Sequence, residues 1–227
     1  MQLRPYQQAA VDAVYRHLRD RDDNPCVVIP TAGGKTPILA TIVRDALCRW
    51  QGRVLILSHV RELLQQAVDK ITTIFPDCDI GVYSSGLNSR ETQKQCIVAG
   101  IQSVYRRANE LGKFDLVIVD EAHLIPINGE GMYRKFLAEM REINPIVRVI
   151  GLTATPYRMS TGTICAPDNI LNEVCFEVGI KELMRDGFLC KLRSKSTRHV
   201  IDTDGLHIRG GEFVDSEAED LMDRKEL

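Results

Sequence analysis

The chain has 227 residues, with 29 lysines and arginines against 31 aspartates and glutamates, and 44% of it is apolar. That is the composition of an ordinary globular protein of one full domain and something more, and it excludes a largely disordered chain. No apolar run reaches the roughly 18–20 residues of a membrane span, and the opening MQLRPYQQAA lacks the apolar stretch of a secretory leader, so the expected setting is soluble and cytoplasmic, with no membrane partner.

Taken in chain order, helical periods alternate with short apolar runs. The helical segments are Tyr6–Arg19, Lys35–Trp50, Val60–Phe75, Gln102–Leu111 and Met132–Glu142. The apolar runs are Cys26–Ile29, Val54–Leu57, Ile80–Tyr83, Cys96–Ala99, Leu116–Val119 and Val147–Leu152. Nearly continuous apolar runs of this length read as strands buried on both faces. Their alternation with helices predicts an α/β fold, a doubly wound, mostly parallel sheet with helices on both faces. After Arg158 the pattern loosens into loop-like MSTGTICAPDN, then a strand at Val174–Val178 and a short helix at Ile180–Asp186. The compact domain is expected over residues 1–193, and residues 194–227 read as a linker or the start of a second unit.

Charge is uneven. From residue 197 onward, nine acidic residues face four basic ones, a net −5, whereas the first 196 residues carry 25 basic and 22 acidic, a net +3. A mildly basic body leaves nucleic acid possible as a partner. The seven cysteines, an odd number without close pairs, argue against a disulfide framework and against a zinc site, and read as reduced core thiols.

Ligands of such sheets bind beyond the carboxyl ends of the strands. After the first strand stands Pro30-Thr31-Ala32-Gly33-Gly34-Lys35-Thr36. Small residues there let the backbone approach phosphates, and amides at a helix N-terminus point at the anion. Lys35 would reach the β- and γ-phosphates and the Thr36 hydroxyl would ligate Mg²⁺. The strict phosphate-loop pattern wants glycine five residues before Gly34, where this chain has Ile29. After the strand Leu116–Val119 comes Asp120-Glu121-Ala122-His123. An aspartate at a strand tip suits hydrated Mg²⁺, and the neighbouring Glu121 is placed to orient or deprotonate an attacking water. The two sites together describe a nucleoside triphosphatase using ATP and Mg²⁺.

The ordered motifs from Leu3 to about Arg193 resemble the first RecA-like, P-loop domain of superfamily 2 helicases and translocases. The likeness is to the DEAH-containing group, which includes RadD-like proteins and restriction-enzyme motors. Leu3-Arg4-Pro5-Tyr6-Gln7 is similar to the adenine-recognition motif, residues 30–36 to motif I and Asp120–His123 to motif II. Ser58-His59-Val60-Arg61-Glu62-Leu63 resembles motif Ia, Gly151-Leu152-Thr153-Ala154-Thr155-Pro156 motif III, and Gly100-Ile101-Gln102-Ser103-Val104 a further strand-contacting motif.

The resemblance implies that Gln7 and Arg4 meet the base, although Gln7 also reads as a polar face of the first helix. It implies that Thr31, Gly33, Gly34, Lys35 and Thr36 hold the phosphates. It further implies that His123, Thr153 and Thr155 couple nucleotide state to nucleic-acid binding. Arg61, Gln102 and Ser103 would contact nucleic-acid phosphates, positioning a strand without reading its sequence. The expected partners are DNA, with RNA left open, and a second RecA-like domain supplying arginine fingers. On this reading the 227 residues are half of an ATPase site. The alternatives are the motor of a type I or type III restriction enzyme and a nucleotide-dependent remodeller that unwinds nothing.

Two departures from the family pattern carry expectations of their own. Ala32 stands where the loop's first glycine is usual, at a cost of about 1 kcal/mol if its φ must be positive and Gly33 does not take over the bend. Pro37 follows Thr36 directly, and its missing N–H removes a donor from the helix start that would hold the anion.

Overall fold

The computed structural model describes residues 2–59, 61–127, 129, 131–158 and 162–191, and the backbone of 208–209 and 212–213; the side chains of residues 61–63 are outside the described set. The chain divides into two compact units, Met1–Leu189 and Cys190–Leu227. In the second, β11 (Ile208–Arg209) pairs antiparallel with β12 (Glu212–Phe213).

The first unit is α1 (Pro5–Asp20), β1 (Pro25–Val28), α2 (Lys35–Cys48), β2 (Val54–Ser58), α3 (Arg61–Ile74), β3 (Ile80–Ser84), β4 (Ser89–Arg90) and β5 (Cys96–Gly100). There follow α4 (Ile101–Val104), α5 (Ala108–Leu111), β6 (Leu116–Asp120), α6 (Met132–Ile143), β7 (Arg148–Thr153), β8 (Tyr157–Arg158), β9 (Gly162–Thr163), β10 (Glu173–Glu177) and α7 (Ile180–Arg185). One eight-stranded sheet runs β10-β1-β7-β6-β2-β5-β3-β4. All its pairs are parallel except β3 with β4. The expected α/β class and parallel sheet are therefore present.

Strand alternation divides the core between the two faces. Val27, Ile56, Val98, Ile118 and Ile150 pack with α1, α2 and α3 on one side, while Val28, Leu57, Ala99, Val119 and Val149 pack with α4, α5 and α6 on the other. Each apolar run thus serves two cores, which is why it lacks polar alternation. On α6, Tyr133, Phe136, Leu137 and Met140 are buried at helical spacing.

Three findings correct the sequence reading. The helix expected over Gln102–Leu111 is two single turns, α4 and α5, broken at Tyr105–Arg107. Within the loop-like stretch after Arg158, Gly162–Thr163 forms a short antiparallel pair with β8. The thiols are all free, but Cys48 and Cys190 are exposed rather than in the core. Val60, expected to open the third helix, lies outside the described residues. No helix among the described residues is long and apolar enough to cross a membrane.

Two polar assemblies pin the amino ends of the strands. The Arg53 guanidinium donates to the carbonyls of Lys94 (3.1 Å), Leu111 (2.8 Å), Lys113 (3.1 Å) and Thr92, and lies 4.2 Å over the Phe114 ring. It joins the approaches to β5 and β6 to β2. Beside β10, His17 Nε2 stands 2.7 Å from Asp23 Oδ1, Arg21 donates to Asp23 at 2.5 Å, and Arg21 also pairs with Glu173.

Candidate nucleotide site

The site begins with the exit from β1. Ile29, fully buried, donates its amide to Thr153 O at 2.9 Å, tying the end of β1 to the end of β7. Gly33 bonds Pro30 O at 2.9 Å and closes a tight turn. The left-handed bend falls on Ala32, at φ +63°, and on Gly34, at φ +81°. Gly33 does not take over the bend, so Ala32 carries the strain expected of it. A Cβ on Gly33 would come within 2.6 Å of Ile29 Cγ2, and one on Gly34 within 2.5 Å of Gln7 Nε2. The loop is a backbone cradle with no room for side chains there, and it delivers the amides that open α2, which have no intrahelical acceptors.

The loop is held from behind by α1. Tyr6 Oη donates to Gly33 O at 2.6 Å and Gln7 Nε2 to Gly34 O at 3.1 Å, while Gln7 Oε1 accepts the Arg4 amide at 2.9 Å. Gln7 is 4% exposed, so its amide is turned into the loop. Tyr6 was missed as a site residue although it stands inside the quoted Arg4–Gln7 run.

The β1-β7-β6 order sets Asp120 one strand beyond, at the carboxyl end of the same sheet. Thr31, Ala32, Gly34, Lys35, Thr36, Asp120 and Glu121 line one cleft of about 540 Å³. Gln66 and Lys70 of α3 form its far wall; no motif had singled them out. Lys35 Nζ lies 2.7 Å from Glu121 Oε1. Glu121 itself adopts φ +51°, a left-handed conformation uncommon for a side-chain-bearing residue. Hydrogen bonds from His123 and then Lys35 hold its carboxyl down at about 2. Asp120 shifts upward, through burial first and then the neighbouring Glu121 charge. A half-buried carboxylate raised in this way, beside a second carboxylate, is a donor set that a divalent cation would relieve.

His123 Nδ1 stands 3.0 Å from Thr153 Oγ1 and 3.3 Å from Glu121 Oε2. Thr153 is fully buried, and its hydroxyl meets both the amide and the carbonyl of Thr155 at 3.1 Å. The three residues expected to couple are therefore in one hydrogen-bonded chain with Glu121. Arg158 extends it, donating Nε to His123 O at 2.5 Å; its signal was the arginine just after Thr-Pro-Tyr.

Gln102 and Ser103 stand apart from this cleft, at the ends of β2, β5 and β3. Gln102 Nε2 donates to His59 O at 2.7 Å, and Ser103 Oγ accepts the Ser85 amide at 2.9 Å. Both line a second cleft with Arg106 and Arg107. The Arg61 side chain lies outside the described residues, so its expected phosphate contact has no counterpart here.

Residues 1–158 match the family described as "Type III restriction enzyme, res subunit". Over 235 residues the chain is 28% identical to IRC3 of Saccharomyces cerevisiae, described as a candidate ATP-dependent helicase, covering 99% of this chain and 33% of that one. Over 159 residues it is 32% identical to the DNA 3'-5' translocase XPB2 of Sulfurisphaera tokodaii, covering 70% of this chain and 32% of that one. The chain thus spans about a third of the length of these curated relatives. Among solved structures, a nuclease-deletion mutant of the Type ISP restriction-modification enzyme LlaGI, in complex with a DNA substrate mimic, superposes with TM-score 0.61. It shares 18% identity and covers 83% of this chain and 21% of that one; at that identity the likeness speaks to fold alone.

Proposed function

Because the chain belongs to the family of the type III restriction enzyme res subunit, we propose that it is the nucleotide-binding half of an ATP-dependent DNA helicase or translocase motor. The observation that carries the proposal is the convergence of Lys35, Thr36, Asp120 and Glu121 on one cleft at the carboxyl edge of the sheet. A backbone cradle, a lysine ammonium and two carboxylates sharing that cleft support this reading.

On this reading the amides after Gly33 and Gly34 bind phosphate oxygens, and Thr31 borders them. Lys35 leaves Glu121 to meet the β- and γ-phosphates. Thr36 and Asp120, the latter opening a DEAH box, would hold Mg²⁺, which when bound neutralises developing phosphate charge. Glu121, freed of Lys35 and kept ionised by His123, orients and deprotonates the attacking water. His123, Thr153 and Thr155 carry the state of Glu121 toward the nucleic acid, whose phosphates meet Gln102 and Ser103 at the second cleft and also Arg61. Arginines of a second RecA-like domain complete the transition state, and such fingers are worth ~10³–10⁵ in rate. The setting proposed is cytoplasmic. A second reading, the motor of a restriction enzyme, draws support from the family's own description.

Calorimetry with ADP–Mg²⁺ on the 227-residue chain and its Lys35→Ala variant tests the site. Binding by the first and not by the second is expected, with ATP turnover by the chain alone far below that of complete motors. DNA binding should fall steeply with salt and ignore sequence; the same titration with RNA tells the two nucleic acids apart. Binding unaffected by Lys35→Ala would sink the proposal.

A further inference from the structure

The far side of the phosphate loop is closed by a helix end that none of the motifs includes. α7 stops in a Schellman turn: Gly187 takes φ +76°, its amide reaches Met184 O at 3.3 Å, and the Phe188 amide bonds Leu183 O at 2.8 Å. This turn sets the place of two side chains. Leu183, 1% exposed, backs the loop, its Cδ1 3.3 Å from where a Gly33 Cβ would stand. The Phe188 ring lies 5.1 Å from the Tyr6 ring, tilted by 59°, and the Arg4 guanidinium sits over Phe188 at 5.2 Å. Tyr6 is the residue whose hydroxyl holds Gly33 O. One packed assembly therefore supports both the phosphate cradle and an exposed planar cation.

We propose that Phe188 is a positioning residue that holds the Arg4 guanidinium flat as a stacking surface for the base of a nucleotide bound at the loop; the inference rests on the nucleotide site proposed above. A free arginine side chain loses much rotamer freedom when it is made to stack, and a guanidinium already seated on an aromatic face loses less. Guanidinium planes stack on nucleobases as they do on aromatic rings. Gln7 is turned into the loop and contributes nothing planar to that surface. The ligand class is the base of a nucleoside di- or triphosphate, and the phosphates are left to the loop.

The test separates base from phosphate. The 227-residue chain and its Phe188→Ala, Phe188→Leu and Arg4→Ala variants are titrated calorimetrically with ADP and with inorganic tripolyphosphate. ADP affinity is expected to fall about fivefold or more in each variant, while tripolyphosphate affinity stays as it was. Adding Phe188→Leu to Arg4→Ala should bring no further loss, because both act on one surface. Phe188→Leu keeps the apolar bulk should the alanine variant melt early. Equal losses for the two ligands would make Phe188 a prop of the loop and overturn the inference, as would unchanged ADP affinity. A wild-type chain that bound neither ligand would overturn the nucleotide site itself.

Discussion

Lys35 Nζ lies 2.7 Å from Glu121 Oε1, an ion pair that ties the first turn of α2 to the residue after β6, with only 14% and 27% of the two side chains exposed. The ammonium proposed to meet phosphate is therefore already engaged, and a nucleotide competes with Glu121 for it. Glu121→Gln removes the charge from the competitor. ADP should bind that variant three- to tenfold more tightly, a gain of about 1 kcal/mol. Calorimetry without turnover checks this, and unchanged or weaker binding would show that the pair is not a competitor.

Ala32 sits at φ +63° in the same loop. Ala32→Gly relieves roughly 1 kcal/mol of left-handed strain and gives back part of it as unfolded-chain entropy. A net gain of about 0.5 kcal/mol, near 1–2 °C in melting temperature, is expected. A melting temperature below wild type would mean that the Ala32 methyl packs usefully.

Pro37 lies in the first turn of α2, where its carbonyl accepts the Thr41 hydroxyl at 2.8 Å but its nitrogen carries no proton. Restoring that donor with Pro37→Ala should tighten ADP binding about fivefold, less than the full worth of a charged hydrogen bond because water recovers part of it. Calorimetry with equal or weaker affinity would dispose of the missing-donor argument.

Arg53 satisfies four carbonyls from one guanidinium over Phe114, and burial pushes its pKa down. Arg53→Met keeps most of the apolar stem and removes every donor. A loss of about 2–3 kcal/mol is expected in urea unfolding at constant m-value, from carbonyls left without partners. A loss under about 0.5 kcal/mol would show that water replaces the guanidinium freely.

Asp23 is held below its usual carboxylate value, first by its hydrogen bond to Arg21 and then by that to His17. A depressed folded value means that the stability it lends is complete above the unfolded value of about 4 and disappears as pH falls through the lowered one. Glu173 on β10, which also pairs with Arg21, and Asp22, which faces Arg148, share this corner. Asp23→Asn should therefore lower stability modestly at pH 7 and flatten the acid limb below pH 4, as read from urea midpoints at several pH values. A parallel downward shift at every pH would assign the loss to packing.

The strands were legible because each apolar run must serve two cores, and their alternation with helices gave the fold class. Strand order was not legible, since nothing in Cys26–Val28 says that its neighbours are residues 151–153 and 173–177. The misread helix has a specific cause. Ile101, Val104, Ala108 and Leu111 are all buried and keep helical spacing across the break, so one core-facing stripe spans two separate turns. Lys35 and Glu121 stood out because each sits in a local run with its own chemistry. Tyr6, Arg158 and Phe188 did not, because each acts on the site through a contact made only once the sheet has closed.

The place of β1 between β7 and β10 has a consequence for how the polypeptide is made. The strand that leads into the phosphate loop, Pro25–Val28, leaves the ribosome well ahead of its two partners, which arrive only with residues 148–153 and 173–177. Contacts so distant in sequence form slowly. Until Glu177 has emerged, one side of β1 is an unpaired, fully apolar edge of the kind that recruits other chains. Gene truncations ending between Arg158 and Val178 are thus expected to retain every motif and still precipitate, whereas those that keep α7 and its turn should stay in solution.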